Sequence, residues 1–165
     1  MSRTILTLNS GSSSLKASFF HANGTRRDWR YTHSSEGVPH NHAEALDALL
    51  QDLGDAVPDA IGHRFVHGGE VTDGARLLDA PEIERLRGIT HLAPLHMPAN
   101  LLGVELCRVR FDAPQVACFD TSFHHTLPEL ARRLPIPREL GMRRYGFHGL
   151  NYAHIASTLP SLLGE

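Results

Sequence analysis

Thr4 to Phe20 reads TILTLNSGSSSLKASFF, and the order of residue types in it sets the architecture. Thr4 to Leu8 is short, partly β-branched and stops at a cluster of turn formers, which predicts a buried strand. Asn9 to Ser14 supplies the turn, and Leu15 to Phe20 the returning strand of a hairpin. Arg26 to Thr32 predicts a third strand with Trp29 and Tyr31 on one face. Further along the period changes. Leu46, Leu49, Leu50 and Leu53 recur at helical spacing, with Gly54 placed to end that helix. Ala60 to His67 (AIGHRFVH) is strand-like again, and Pro81 to Arg87 and Pro98 to Phe111 predict two helices. Val116 to Phe119 (VACF) predicts another buried strand, and Asn151 is placed to cap a final helix through Leu159. Strands first and helices interleaved later indicate an α/β fold with a mixed sheet flanked by helices.

The 165 residues fit one domain or slightly more and are long enough to bury a real core. Sixteen basic and eighteen acidic side chains leave a formal charge of −2, which argues against a polybasic nucleic-acid binder. Apolar runs fall short of the roughly 18 residues of a membrane span. The opening MSRTILTLNS has no signal-peptide cleavage region, so a cytoplasmic location is expected. Cys107 and Cys118 form no CxxC pair, as suits a reducing compartment.

Four segments carry residues suited to chemistry. In Asn9 to Lys16 a tight Gly/Ser turn offers backbone N–H groups and hydroxyls to a phosphate, and Lys16 adds a point charge. It is not a P-loop, and a solvated serine-rich hairpin is the alternative. In Gly62 to Glu70 (GHRFVHGGE) strand parity puts Gly62, Arg64, Val66 and Gly68 on one face and His63, Phe65 and His67 on the other. Arg64, flanked there by small residues, is a fork for a carboxylate or phosphate, or else one half of an internal ion pair. Asp120 follows a buried strand, where ligands of α/β sheets bind; it suits a metal site, an orienting group or a base, and equally a turn cap. In Tyr145 to Gly149 (YGFHG) two glycines let the backbone bring His148 close to a ligand, as a donor to an oxyanion. Leu95-His96, in APLHMP, is a weaker candidate that also suits a helix entry. Twelve histidines invite a zinc hydrolase, but no HExxH occurs and His63 and His67 lie two pleats apart on a strand.

The strings LNSGSSSLK (Leu8 to Lys16), GHRFVHGGE, APLHMP (Ala93 to Pro98), FDTSF (Phe119 to Phe123) and YGFHG, in this order, resemble the acetate kinase family. The resemblance implies an actin-like, RNase-H-like ATPase domain of the ASKHA superfold. It implies that residues 1 to 165 are the N-terminal domain of a two-domain kinase whose nucleotide-binding C-terminal domain is not in this chain. The activity it implies is reversible transfer of the γ-phosphoryl of ATP to acetate, giving acetyl phosphate, with Mg²⁺ as cofactor. By the same resemblance Asn9 is the Mg²⁺ residue, and Ser12, Ser14 and Lys16 lie near the ATP phosphates. Arg64 binds the acetate carboxylate; Val66, Leu95 and Phe147 form the pocket for its methyl group. Asp120 is the essential acid and His148 stabilises the transferring phosphoryl. Acetate is ionised at neutral pH, so Asp120 orients groups or metal-bound water rather than abstracting a proton. An apolar pocket distinguishes one methylene by only about 1–3 kcal/mol, which makes propionate an expected second substrate.

The family is expected to form homodimers, to act on small molecules and to bind neither nucleic acid nor membrane. Family members usually continue Thr-Ser-His after the glycine matching Gly149, where this chain has Leu150, Asn151 and Tyr152. Family members are also more than twice as long. Little turnover is therefore expected of these 165 residues alone, and a non-catalytic binding module is the competing reading.

Overall fold

Ile5–Ser10 (β1) and Ser14–Phe20 (β2) pair antiparallel, and the turn between them is closed by the Gly11 N–H donating to the Ser14 carbonyl at 2.9 Å. The strand propensity of TILTL extends through Asn9 and Ser10, so the turn is shorter than the six residues expected. The computed structural model describes residues 3–11, 13–33 and 39–164. Arg26–Thr32 (β3) adds to the far side of β2, with Trp29 and Tyr31 the partly covered positions of an otherwise exposed strand.

The chain then crosses over. His42–Leu53 (α1) starts at Asn41, whose side chain accepts from the Glu44 N–H, and ends at Gly54 with φ 59°. It delivers Ala60–Phe65 (β4) parallel to β1. Two more helices follow, Ala80–Gly88 (α2), capped by Asp79, and Met97–Arg110 (α3). They lead to Gln115–Phe119 (β6), parallel to β4. A three-residue strand, Ala75–Leu77 (β5), pairs antiparallel with β6 at the edge, giving the order β3-β2-β1-β4-β6-β5. The mixed sheet expected from the sequence is present, and β5 was not anticipated. Beyond β6 the chain forms a 3-10 helix over Asp120–Thr126 and a short Glu129–Arg132 (α4). It ends in Gly149–Leu163 (α5), on which only Gly149 is buried.

The sheet is covered on one face. Leu6 and Leu8 on β1, Ile61 and Phe65 on β4, and Ala117 and Phe119 on β6 are buried beneath α1, α2 and α3. Each large apolar side chain removed from water in this way contributes about 1.5–3 kcal/mol. The intervening residues Thr7, Asn9, Gly62, Arg64 and Cys118 are only partly covered. Among the described residues no helix is long and apolar enough to cross a membrane.

Candidate active site

The parallel register of β1, β4 and β6 brings three of the singled-out residues together. Asn9 lies near the end of β1, Arg64 near the end of β4, and Asp120 directly after β6. Arg64 donates from Nε and Nη2 to Asp120 Oδ2 at 3.1 and 2.6 Å, and from Nη1 to Asn9 Oδ1 at 2.8 Å. Its side chain keeps 25% of its surface exposed, whereas that of Asp120 keeps 2%. The two readings of Arg64 therefore meet in one residue: it is half of an ion pair and it also lines open space.

That open space is double. A groove of about 680 Å³ is lined by Asn9, Lys16, Arg64, Asp120 and His148, with Cys118, Leu150 and Asn151 among its other lining residues. A second cavity of about 550 Å³ runs along Val66, Leu95, His96 and Phe147. Arg64, Asp120 and His148 border both, so the charged cluster stands between the groove that holds Lys16 and Asn9 and a more apolar cavity. Lys16 lies opposite Asn9 in the β1–β2 pairing. Ser14 opens β2 and lines neither cavity, and Ser12 lies outside the described residues.

His148 is aimed by the loop that carries it. It sits at φ 57°, the one non-glycine residue with positive φ among those described, and caps α5 without a side-chain hydrogen bond. The expected cap, Asn151, lies inside the helix instead. The reason is steric: a Cβ on Gly149 would stand 2.0 Å from the Asp120 carbonyl oxygen, so only glycine lets α5 begin this close. The helix start also approaches the acid, with the Leu150 N–H donating to Asp120 Oδ1 at 3.4 Å. On the other side the His67 ring, 1% exposed, packs edge-on against Tyr145 and Phe147 at 4.4 and 5.9 Å between centroids. The Phe147 carbonyl meets His124 Nε2 at 2.9 Å.

His67 and His124 thus hold the loop, a role the sequence reading did not assign. His67 lies within GHRFVHGGE, whereas His124 directly follows FDTSF and belongs to none of the strings singled out. Burial lowers the His67 pKa, with a smaller contribution from His91. His63, the neighbour of Arg64, faces the helices, is hydrogen-bonded to Gln115 Oε1 at 2.6 Å, and has its pKa pushed down to about 4 by burial. His96 caps α3 and lines the apolar cavity, with its Nδ1 buried and lacking a hydrogen-bond partner among the described residues. Among the described residues no three His, Cys, Asp or Glu side chains converge as a metal cage.

Comparison with known proteins agrees in sequence and in fold. The acetokinase family model matches residues 4–165. The acetate kinase of Rhodopseudomonas palustris (strain ATCC BAA-98 / CGA009) is 37% identical over 198 aligned positions that cover 100% of this chain and 50% of the relative. That of Pseudarthrobacter chlorophenolicus is 41% identical, covering 96% and 47%. Among solved structures, a propionate kinase from Francisella tularensis subsp. tularensis SCHU S4 superposes with a TM-score of 0.77 at 30% identity, covering 99% of this chain and 50% of that one. The Porphyromonas gingivalis acetate kinase gives 0.74 at 29% identity, covering 98% and 49%. The chain spans about half the length of the curated relatives it matches. With five motifs in order, an ASKHA-type sheet and a match along nearly its whole length, the chain belongs to the acetokinase family.

Proposed function

We propose that these residues form the carboxylate-binding half of an ATP-dependent kinase that phosphorylates acetate. The observation that carries the reading is the placement of Arg64, Asp120 and His148 between the groove containing Lys16 and Asn9 and the cavity containing Val66, Leu95 and Phe147. Phosphoryl transfer asks mainly for positioning and charge neutralisation. Arg64 would take the acetate carboxylate, and the apolar cavity the methyl group. Lys16 and the β1–β2 turn would take phosphate oxygens. His148 would donate to the transferring phosphoryl, where negative charge is concentrated.

Asn9 Oδ1 and the Asp120 carboxylate are hard oxygens suited to Mg²⁺, which keeps several waters and needs few protein ligands. When bound, Mg²⁺ neutralises charge on the phosphates. Asp120 is the acceptor of both Arg64 and the start of α5, which supports an orienting role. The apolar cavity is large enough for one more methylene, so propionate is a second substrate of the same reading.

The test has two parts. Acetate binding to the chain is followed by saturation-transfer NMR, and acetyl phosphate formation with ATP and Mg²⁺ is trapped as the hydroxamate. Acetate is expected to bind, and Arg64→Ala to weaken it at least tenfold. A wild-type chain that does not bind acetate, or a variant that binds it equally, overturns the reading.

A further inference from the structure

We infer that Arg64, Asp120 and Asn9 form an internal latch, through which a divalent cation and a carboxylate bind with positive coupling. The inference rests on the reading above, in which Arg64 serves the carboxylate and Asn9 and Asp120 the cation. A guanidinium has five N–H donors, and here three are committed, two to Asp120 Oδ2 and one to Asn9 Oδ1. The Asp120 side chain is almost wholly removed from water, so its charge depends on a bound counter-charge. Arg64 supplies it. The guanidinium therefore stands between the same two side chains whose oxygens suit a hard cation.

Two consequences follow from that occupancy. A carboxylate reaching for the remaining N–H groups of Arg64 meets a guanidinium already neutralised, with the Asp120 carboxylate 2.6 Å from its Nη2. A cation reaching for Asn9 and Asp120 meets the positive charge of Arg64. Either ligand alone works against the latch. Together they exchange partners: Asp120 and Asn9 turn to the cation, and Arg64 is released toward the cavity of Val66, Leu95 and Phe147, which it already borders. No proton is transferred and no covalent bond changes. Thermodynamic linkage requires the coupling to be reciprocal.

The experiment measures binding, not turnover. Acetate affinity is read by NMR with and without saturating Mg²⁺, and Mn²⁺ affinity by electron paramagnetic resonance with and without saturating acetate. The latch predicts that each ligand tightens the other by the same factor, at least fivefold. Asp120→Asn keeps the shape and removes the charge, so it should bind acetate in the absence of cation more tightly than wild type, with the coupling lost. Arg64→Ala should bind Mn²⁺ more tightly than wild type, and Arg64→Gln replaces it if circular dichroism shows that the alanine variant does not fold. Acetate affinity indifferent to the cation, or cation-free acetate affinity unchanged or weakened in Asp120→Asn, overturns the latch. Absence of acetate binding under all conditions overturns the carboxylate reading instead. The Mn²⁺ comparison still decides the latch in that case: Arg64 variants that bind Mn²⁺ no better than wild type refute it.

Discussion

The two faces of the central sheet are built from alternate residues of the same strands, and they obey opposite rules. On the helix side Leu6, Leu8, Ile61, Phe65, Ala117 and Phe119 are packed out of water. On the other side Asn9, Arg64 and Cys118 border the groove that also holds Lys16. His63 and Arg64 are neighbours in sequence, yet one is a neutral buried imidazole and the other the centre of the charged cluster. Parallel strands buried on both faces read as continuous apolar runs; β4 and β6 alternate in burial because only one face is covered, although the VACF of β6 reads as such a run. Parity along the strand, not residue type, separates support from chemistry, and a one-residue slip would exchange them.

The sharpest way to break this contrast is to damage the packed face. Phe65→Ala removes a fully buried ring and should cost about 3–5 kcal/mol in urea unfolding followed by circular dichroism. A cost below 1 kcal/mol would mean that this face is not the supporting one. Next in size is Gly149→Ala, where the new methyl group collides with the Asp120 backbone. The expected loss is about 1–3 kcal/mol, accompanied by weaker acetate binding because α5 can no longer start against the acid. Unchanged stability together with unchanged binding would dissociate α5 from the cleft.

The smallest effect sharpens the contrast through pH. His63 has a folded pKa of about 4 against an ordinary value of 6.5, so between these limits the unfolded chain binds a proton that the folded one excludes. Above pH 6.5 the group contributes nothing to the pH slope. As pH falls from 6.5 toward 4, stability should drop by roughly 1.4 kcal/mol per unit on its account. His67 and His33, also shifted down by burial, act in the same direction. His63→Leu should flatten the measured slope, and an unaltered slope would remove His63 from the buried set.

Much of this was legible in the sequence because period carries it. The β-branched run and turn cluster of β1 and β2, the leucines of α1 and the signals at Gly54 and Pro81 are local, and they hold. β5 was not legible: three residues have no period, and their conformation comes from pairing with β6. The start of α5 was misread because the deciding contact is Gly149 against Asp120, 29 positions away in sequence, and it outweighs the capping propensity of Asn151. The candidate residues Asn9, Lys16, Arg64, Asp120 and His148 could be picked out by their local strings. Their convergence could not, since it depends on the registers of β1 with β4 and of β4 with β6.

The position of Trp29 gives the molecule a built-in division of optical labour. The single tryptophan lies on the edge strand β3, with β2 and β1 between it and β4. At about 4.8 Å per strand, some 14 Å separate it from the Arg64 strand. Tyr145 and Tyr152 instead lie on the loop and helix around His148. Tryptophan emission therefore follows the hairpin edge, while two of the three tyrosines report on the cleft and Tyr31 shares the edge strand with Trp29. Opening of one region ahead of the other would appear as two non-coincident optical transitions in a single unlabelled sample.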